Sequence, residues 1–528
     1  MAGFHQAFGL SKAEVKVATP PGTVTLIEHL ERTASQQDHD ELRLVPQPST
    51  DPADPLNFAA WRKAGILFSM SLCPFVANFT AGSISSALPV YASTPALGLP
   101  PKPFSELTQL IAINLLFLGV SNLVWMPLAN IFGRRPVMLL SFLLLVFASM
   151  WAGLASSFSS LLAARAFMGI GAGSADAVSP AVVGETFFVH QRGRVMAIYT
   201  VCLGAGPFVG PIAGSYIVAS RGVQWLHWTN VILAACTLFV FLILLPETLY
   251  DRPGVSIQNS IGNEKVHGKD TQNVQISATA DPSTYPPYTI ARSLKLVTYR
   301  GSVVGHFLAP YKTVRLPGVW LVSLWYAGLV GSVVVTSTVA AQLISAPPYL
   351  WGKDAGLINV GGLIGTLLGC VYCYALTDWT TKRLAKKDSR GYSEPESRLV
   401  TAMPSFVIST AGTLLFGFVA ANPTPKGWIG LEFGLGMIGF GLMQAPSVGF
   451  NYIIESYPRL AGDCFVLITS SRAIISFAWT FFVGEWIQHA GPALPFGIFG
   501  MLLGIFGLLT IPFLVWGKRF RIATASWT

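Results

Sequence analysis

Hydrophobic residues along this chain gather into long runs separated by short polar breaks, and the runs come in two sets of six. The first set lies near 62–91, 107–129, 136–157, 161–184, 194–219 and 224–246. The second lies near 316–344, 354–377, 399–420, 428–455, 463–486 and 493–517. Each is about 20 residues or longer, enough for a helix to cross a hydrocarbon core of ~30 Å. In hydrocarbon every backbone N–H and C=O needs an internal partner, so runs of this length read as helices. Between the first two runs, YASTPALGLPPKPFSE is a Pro/Gly loop. Residues 1–60 are polar, mixed and without a sustained period, ending in DPADPLN; residues 247–314 are hydrophilic and rich in Ser, Thr, Asn and Pro. The pattern predicts an all-α membrane protein with one six-helix bundle at 61–246 and a second at 315–517. A linker at 247–314 joins them, with tails at 1–60 and 518–528, the first expected to be largely disordered.

Composition agrees with the pattern. Hydrophobic residues make up 52% of the chain and charged residues 11%, against about a quarter charged in soluble proteins. The net charge of +9 would suit nucleic acid, but its distribution gives a different account. Taking the N-terminus as cytosolic, the inner loops and tail hold Arg134, Arg135, Arg192, Arg194, Lys382, Arg383, Lys386, Lys387, Arg390, Arg398, Arg459, Lys518, Arg519 and Arg521. The outer loops hold only Lys102, Arg221, Lys353 and Lys426, fourteen cations against four. By the positive-inside rule both tails and the linker are then cytosolic. No charged n-region and cleavage site precede the first run, so no signal peptide is expected. All six cysteines fall in apolar runs, and Cys370-x-x-Cys373 reads as small packing residues rather than a redox or metal site.

Charge inside a run is informative because it is costly in hydrocarbon and faces a bundle interior or a water-filled path. The fourth run contains Arg165 and Asp176, which share one helical stripe with Gly169 and Gly173. The fifth repeats Gly206–Pro207 and Gly210–Pro211 at a four-residue step, with Gly214 following, a pattern that predicts a bent helix beside a cavity. Asp176 could load and release a proton, stay ionised and attract a cationic solute, or be satisfied by groups beside Arg165. Arg165 could act on a carboxylate or an anionic solute, or be bonded to backbone carbonyls. Asn78, Asn359, Gln444 and Asn451 add polar groups to a pathway whose aromatic wall would be Trp325 and Tyr326; each could equally be packing. Arg472 lies mid-run without an evident partner. The halves echo each other, as two parallel repeats would. ANIFGRRP after the second run is matched by TDWTTKR after the eighth, and Glu185 by Glu455 at the ends of the fourth and tenth. Asn130, Gly133, Arg134, Arg135, Glu185, Asp378 and Glu455 form the candidate cytosolic gate.

These stretches resemble the major facilitator superfamily, and within it the twelve-span fungal drug:proton antiporter group. MPLANIFGRRPV is similar to the family's loop motif, RAFMGIGAG to its fourth-span motif, and GAGPFVGPIAGS to the fifth-span motif of antiporters. LPETL, EPESRL and YIIESYPRLAGDCFVL are similar to stretches of fungal members, the last near the histidinol and polyamine carriers. The resemblance covers the chain from Asp54 onward and implies two six-helix bundles about a pseudo-twofold axis, enclosing a central cavity. Asn130 departs from it: the family usually has an acid there, which meets the N-terminal end of a helix in the other half. An amide lacks the charge contribution of up to about 1 kcal/mol, so a looser latch is expected in this half, while Asp378 keeps its charge in the other.

The resulting expectation is a secondary active transporter without cofactors, driven by a proton gradient and exporting an organic solute such as a drug or secondary metabolite, as in multidrug resistance. Its partners would be that solute, protons and the bilayer; no nucleic acid is expected, and the chain would act as a monomer. The plasma membrane is the expected site, the vacuolar membrane the alternative. Proton-coupled uptake of an organic cation such as a polyamine is the rival, and a non-transporting membrane sensor the rival from another class. No metal-ligand spacing, P-loop or nucleophile elbow points to an enzyme.

Overall fold

In the computed structural model the described residues are 51–93, 100–250, 301–387, 392–458 and 460–527, with short pieces of the first 25. Among the described residues, twelve helices are long and apolar enough to cross a membrane. Spans one to six are Ala60–Ser93, Phe104–Phe132, Arg134–Leu154, Phe158–Thr186, Gly193–Arg221 and Val223–Leu244. Spans seven to twelve are Pro317–Ser345, Gly352–Leu376, Pro395–Ala421, Trp428–Ser456, Ala461–Ala490 and Ala493–Thr524. All twelve apolar runs are found, most within a turn of the expected ends.

Local chemistry sets several boundaries. Ser157 caps span four by accepting from the Ser160 N–H at 3.2 Å. Asp54 caps the short turn Pro55–Asn57 that leads into span one, accepting from the Leu56 N–H at 3.0 Å. Gly133, between spans two and three, has φ +109°, a left-handed conformation that glycine alone adopts without strain. Span five, inside the helix Val189–Arg221, stays helical through Pro207 and Pro211. The prolines behind the expectation of a bent helix do not interrupt it. Its glycines serve close approach within the first half: Gly206 and Gly210 lie against the backbone of span one at Phe75 and Phe79.

The two halves meet chiefly along two helix pairs. Span two packs on span eleven, where Gly119 sits against Thr469 and Ala473 and accepts from Ser470 Oγ at 3.2 Å. Span five packs on span eight, with Pro211 and Ser215 against Gly356 and Phe208 against Gly362. Odd-numbered spans begin at one face of the molecule. Arg134, Arg135, Arg398, Lys518 and Arg521 lie toward it, and it is called the basic face here.

The tails depart from expectation. Ala2–Gly9 is helical and packs on span twelve, with Arg519 donating to the carbonyls of Phe8 at 2.8 Å and Leu10 at 3.1 Å. Val24–Thr25 pairs with Tyr392–Ser393. Span twelve continues as helix to Thr524, well past residue 517, because Arg521 is drawn into ion pairs with Glu394 and Glu396. The linker ends in a helix, Val303–Lys312, that packs on spans two and eleven. The rest of the expected linker and of the N-terminal tail falls largely outside the described residues.

Candidate functional site

A partly open cavity lined by residues of both halves lies between them. Its wall takes Asn78 and Ser85 from span one, Pro207 from span five, Ser337 and Thr338 from span seven, and aliphatic residues of spans two, seven and ten. Asn78, Ser85, Ser337 and Thr338 come from the parts of their helices remote from the basic face, so the cavity reaches from the membrane middle toward the opposite face. Tyr326 and Arg472 line it nearer the basic face. The Arg472 guanidinium lies 4.8 Å from the Tyr326 ring centroid, a cation–π contact.

Asp176 lies behind this end of the cavity. It is 1% exposed and is not part of the wall; its Oδ2 accepts from Arg472 Nη2 across the interface between the halves. Asp176 thus finds its partner 296 positions away on span eleven, not beside Arg165. One oxygen of the carboxylate, the Arg472 Nε and the Tyr326 hydroxyl have no hydrogen-bond partner among the described residues. Cys73, Tyr199 and Ser179 complete the surroundings. An ion pair with leftover bonding capacity beside an open cavity is poised to exchange partners with water, a proton or a solute.

Arg165 is a different case. It is fully buried, and its guanidinium donates to the carbonyls of Leu110 at 3.1 Å, Thr80 at 2.9 Å and Ala81 at 2.8 Å. Asn114 returns a bond to the Arg165 carbonyl at 2.8 Å. These bonds tie spans one, two and four together, which is the structural alternative for this residue, and Arg165 does not line the cavity. Gly169 and Gly173 on the same stripe pack against span two at Asn114 and Ser121.

The other pathway candidates divide. Asn78 and Tyr326 line the cavity. Asn359 stands one residue behind it, accepting from the wall residue Ser337 at 2.6 Å. Gln444 and Asn451 are buried in span ten on either side of its π-helical turn Ala445–Gly449, with Asn451 donating to Ser447 O at 2.6 Å. Trp325 does not line the cavity as expected: its ring lies tilted against Phe406 and its Nε1 donates to Phe506 O at 3.1 Å, so it packs spans nine and twelve against span seven. Successive helical residues point about 100° apart, and here only Tyr326 faces the cavity.

At the basic face, Arg134 Nη2 meets Glu185 at 2.8 Å. The backbone amides of Arg134 and Arg135 donate to Glu247 at 2.9 and 3.1 Å, and Arg135 Nη2 to Leu242 O at 3.0 Å. Glu247, from the LPETL stretch, therefore caps span three and stands against Gly133. The sequence signal for it was an acid directly after an apolar run on the basic side. In the second half Glu455 pairs with Arg398 of EPESRL at 2.6 Å. The matched carboxylates thus both have cations, but the second cation comes from the start of span nine. The side chain of Asp378 and its neighbouring cations fall outside the described residues. Asn130 is half-buried, and it is Met126, one turn earlier, that reaches Gly462 at the start of span eleven while accepting from Arg134 Nη1 at 3.4 Å.

Comparison with known proteins agrees with this architecture. Residues 70–479 match the model of the Major Facilitator Superfamily. Protein HOL1 of Saccharomyces cerevisiae is 26% identical, over 92% of this chain and 91% of its own. A multidrug transporter of Candida glabrata, TPO1_1, is 24% identical over 89% of this chain and 78% of its own. Among solved structures, the human organic anion transporter MFSD10 superposes with a TM-score of 0.51 at 18% identity, covering 86% of this chain and all of that one. A cavity between two six-span halves, a family model over most of the length and transporter relatives agree: this chain belongs to the Major Facilitator Superfamily and is a membrane transporter.

Proposed function

We propose that this transporter exports an amphipathic organic solute in exchange for protons, with Asp176 as the proton-carrying group. The observation that carries the reading is the Asp176–Arg472 pair: an acid from one half and a base from the other, meeting at the end of a cavity between the halves. A buried ion pair is stable only while both members are charged. Adding a proton to Asp176 weakens the tie between the halves at this point, which is what a rocking exchange between two openings requires. The wall, largely aliphatic with hydroxyls and one amide, suits an apolar body carrying a few polar groups. Relatives that include a multidrug transporter support export. The excess of cations supports a cytosolic basic face, and the plasma membrane is the proposed site.

The test is proton-gradient-driven flux of lipophilic dyes and drugs in vesicles containing the purified chain, repeated with Asp176→Asn. The expected result is gradient-dependent movement that the substitution abolishes. Gradient-driven flux that survives Asp176→Asn would overturn the role given to this residue, and a wild-type chain that moves nothing across a broad panel would favour a sensor.

A further inference from the structure

The pair is placed unevenly with respect to the cavity. Arg472 belongs to the wall and Asp176 lies behind it, so a solute meets the base and not the acid. The remaining wall residues are apolar or uncharged, the Tyr326 phenol included. We propose that Arg472 turns protonation of Asp176 into release of the solute, so that the site exports uncharged and cationic amphipathic molecules and retains carboxylates. This rests on the proton-exchange reading above.

While Asp176 is ionised, Arg472 is neutralised from behind and the solute faces a wall without net charge. A proton that joins the Asp176 carboxylate makes it a neutral acid and removes the countercharge. A guanidinium left unpaired among apolar helices is costly. It is already next to the cavity, its Nε has no partner among the described residues, and the Tyr326 ring lies over it. Turning into the cavity gives it water, and brings positive charge into the space where the solute sat. A cation is repelled and an uncharged molecule is displaced, so proton and solute exclude each other, the condition for exchange. A carboxylate behaves oppositely, because it can take two parallel hydrogen bonds from the freed guanidinium and stay with the proton bound.

The groups around Asp176 leave this exchange to Arg472. Span one contributes Cys73, span five Tyr199 and span seven Tyr326, all neutral near pH 7. The parts of span two packed on this helix, Gln109–Val120 and Asn122–Phe132, contain no ionisable side chain. The other charges on elements packed against it lie toward the two ends of the helices: Arg62 and Lys63 of span one, Asp54 of the preceding turn, Arg134 and Arg135 of span three, Arg194 of span five and Asp463 of span eleven at the basic end, and Arg221 of span five with Glu485 and His489 of span eleven at the opposite end.

The test uses the full chain in lipid nanodiscs and three probes that share one apolar body: para-phenylbenzoate, its methyl ester and para-phenylbenzylamine. Calorimetric titration at neutral and mildly acidic pH, in buffers of different ionisation enthalpy, reads both affinity and the protons exchanged. The amine and the ester should bind more weakly in acid, by up to about tenfold per pH unit for one competing proton, and should release protons on binding. The benzoate should take protons up. Arg472→Gln should bind the ester equally at both pH values, Arg472→Lys should restore the dependence, and Asp176→Asn with Arg472→Gln controls for folding with both charges removed. Ester binding that is insensitive to pH in the wild type overturns the proposal. So does full pH dependence in Arg472→Gln, a benzoate that behaves like the amine, or failure of all three probes to bind. Absence of gradient-driven flux while this linkage persists would remove the export reading and leave the role of Arg472 standing.

Discussion

Arg165 and Arg472 are both fully buried, and they are satisfied in opposite ways. Arg165 spends its donors on three backbone carbonyls of the first half. Those acceptors are fixed by the helices that carry them, and none can gain a proton near neutral pH. Arg472 has one ionised partner from the other half, a free Nε and a cavity beside it. One charge has a single arrangement and holds a bundle together; the other has two and can report a proton. Burial alone does not tell a structural charge from a functional one. What decides is whether the partner can change state and whether the charge has somewhere else to go.

The sharpest way to break this contrast is to remove each arginine. Arg165→Met removes three buried hydrogen bonds from a charged donor, worth about 1.5–3 kcal/mol each, and should prevent accumulation of monodisperse protein on size-exclusion chromatography. Arg165→Lys should fail similarly, since an ammonium on a flexible stem does not reproduce the planar fork. A well-folded Arg165→Met would mean the carbonyl bonds are dispensable.

Asp176→Asn should cost less overall, about 3–5 kcal/mol for breaking a buried pair, seen as a lowered melting temperature in detergent. Adding Arg472→Gln should recover most of that loss, because no unpaired charge then remains. If the two losses simply add, the residues are not coupled and the comparison fails.

Much of this was legible in the chain, and the misses have a common cause. The twelve spans followed from run length, since hydrocarbon demands about the same number of apolar residues of every helix. Asp176 stood out because an acid in such a run needs a reason. Its partner did not, because the pairing joins positions 296 apart and depends on how the halves meet. Trp325 and Tyr326 are adjacent, and only the register of span seven decides which of them faces the cavity. Glu455 was matched with cations of the preceding loop, whereas Arg398 fills the place. One-dimensional patterns located buried charges well and assigned their partners poorly.

The basic face allows a finer comparison between the halves. Glu247 accepts two backbone amides at the start of span three and is expected to contribute about 1 kcal/mol as a cap. Glu247→Gln should therefore lower the melting temperature slightly, and more than Glu185→Gln, since the Glu185 side chain is 36% exposed and its pair with Arg134 is better screened. The reverse order would mean that the ion pair, not the cap, holds this corner. In the second half, burial pushes the Glu394 carboxyl up, but Arg521 and Lys518 outweigh it and hold it below the ordinary carboxylate range. A carboxyl lowered on folding contributes stability at neutral pH that is lost as pH falls through its folded value. Glu394→Gln should thus lower the melting temperature at neutral pH and flatten its decline in acid; an unchanged acid limb would show that Glu394 is not responsible.

The smallest effect should come from Asn130. Read from the sequence, it is the place of a missing acid, and Asn130→Asp should tighten the contact between span two and the start of span eleven. The structure supplies another acid there: Asp463, in the first turn of span eleven, lies in the field of Arg134 from the first half and Lys312 from the linker helix. A carboxylate in the first turn already complements that helix end. A second one on span two would add repulsion along with attraction, so Asn130→Asp alone should change the reactivity of cysteines placed at the basic mouth very little. Asp463→Asn should raise it, and Asn130→Asp in that background should bring it back down. If Asp463→Asn leaves reactivity unchanged while Asn130→Asp lowers it, the acid belongs on span two after all, and the two halves are latched unequally.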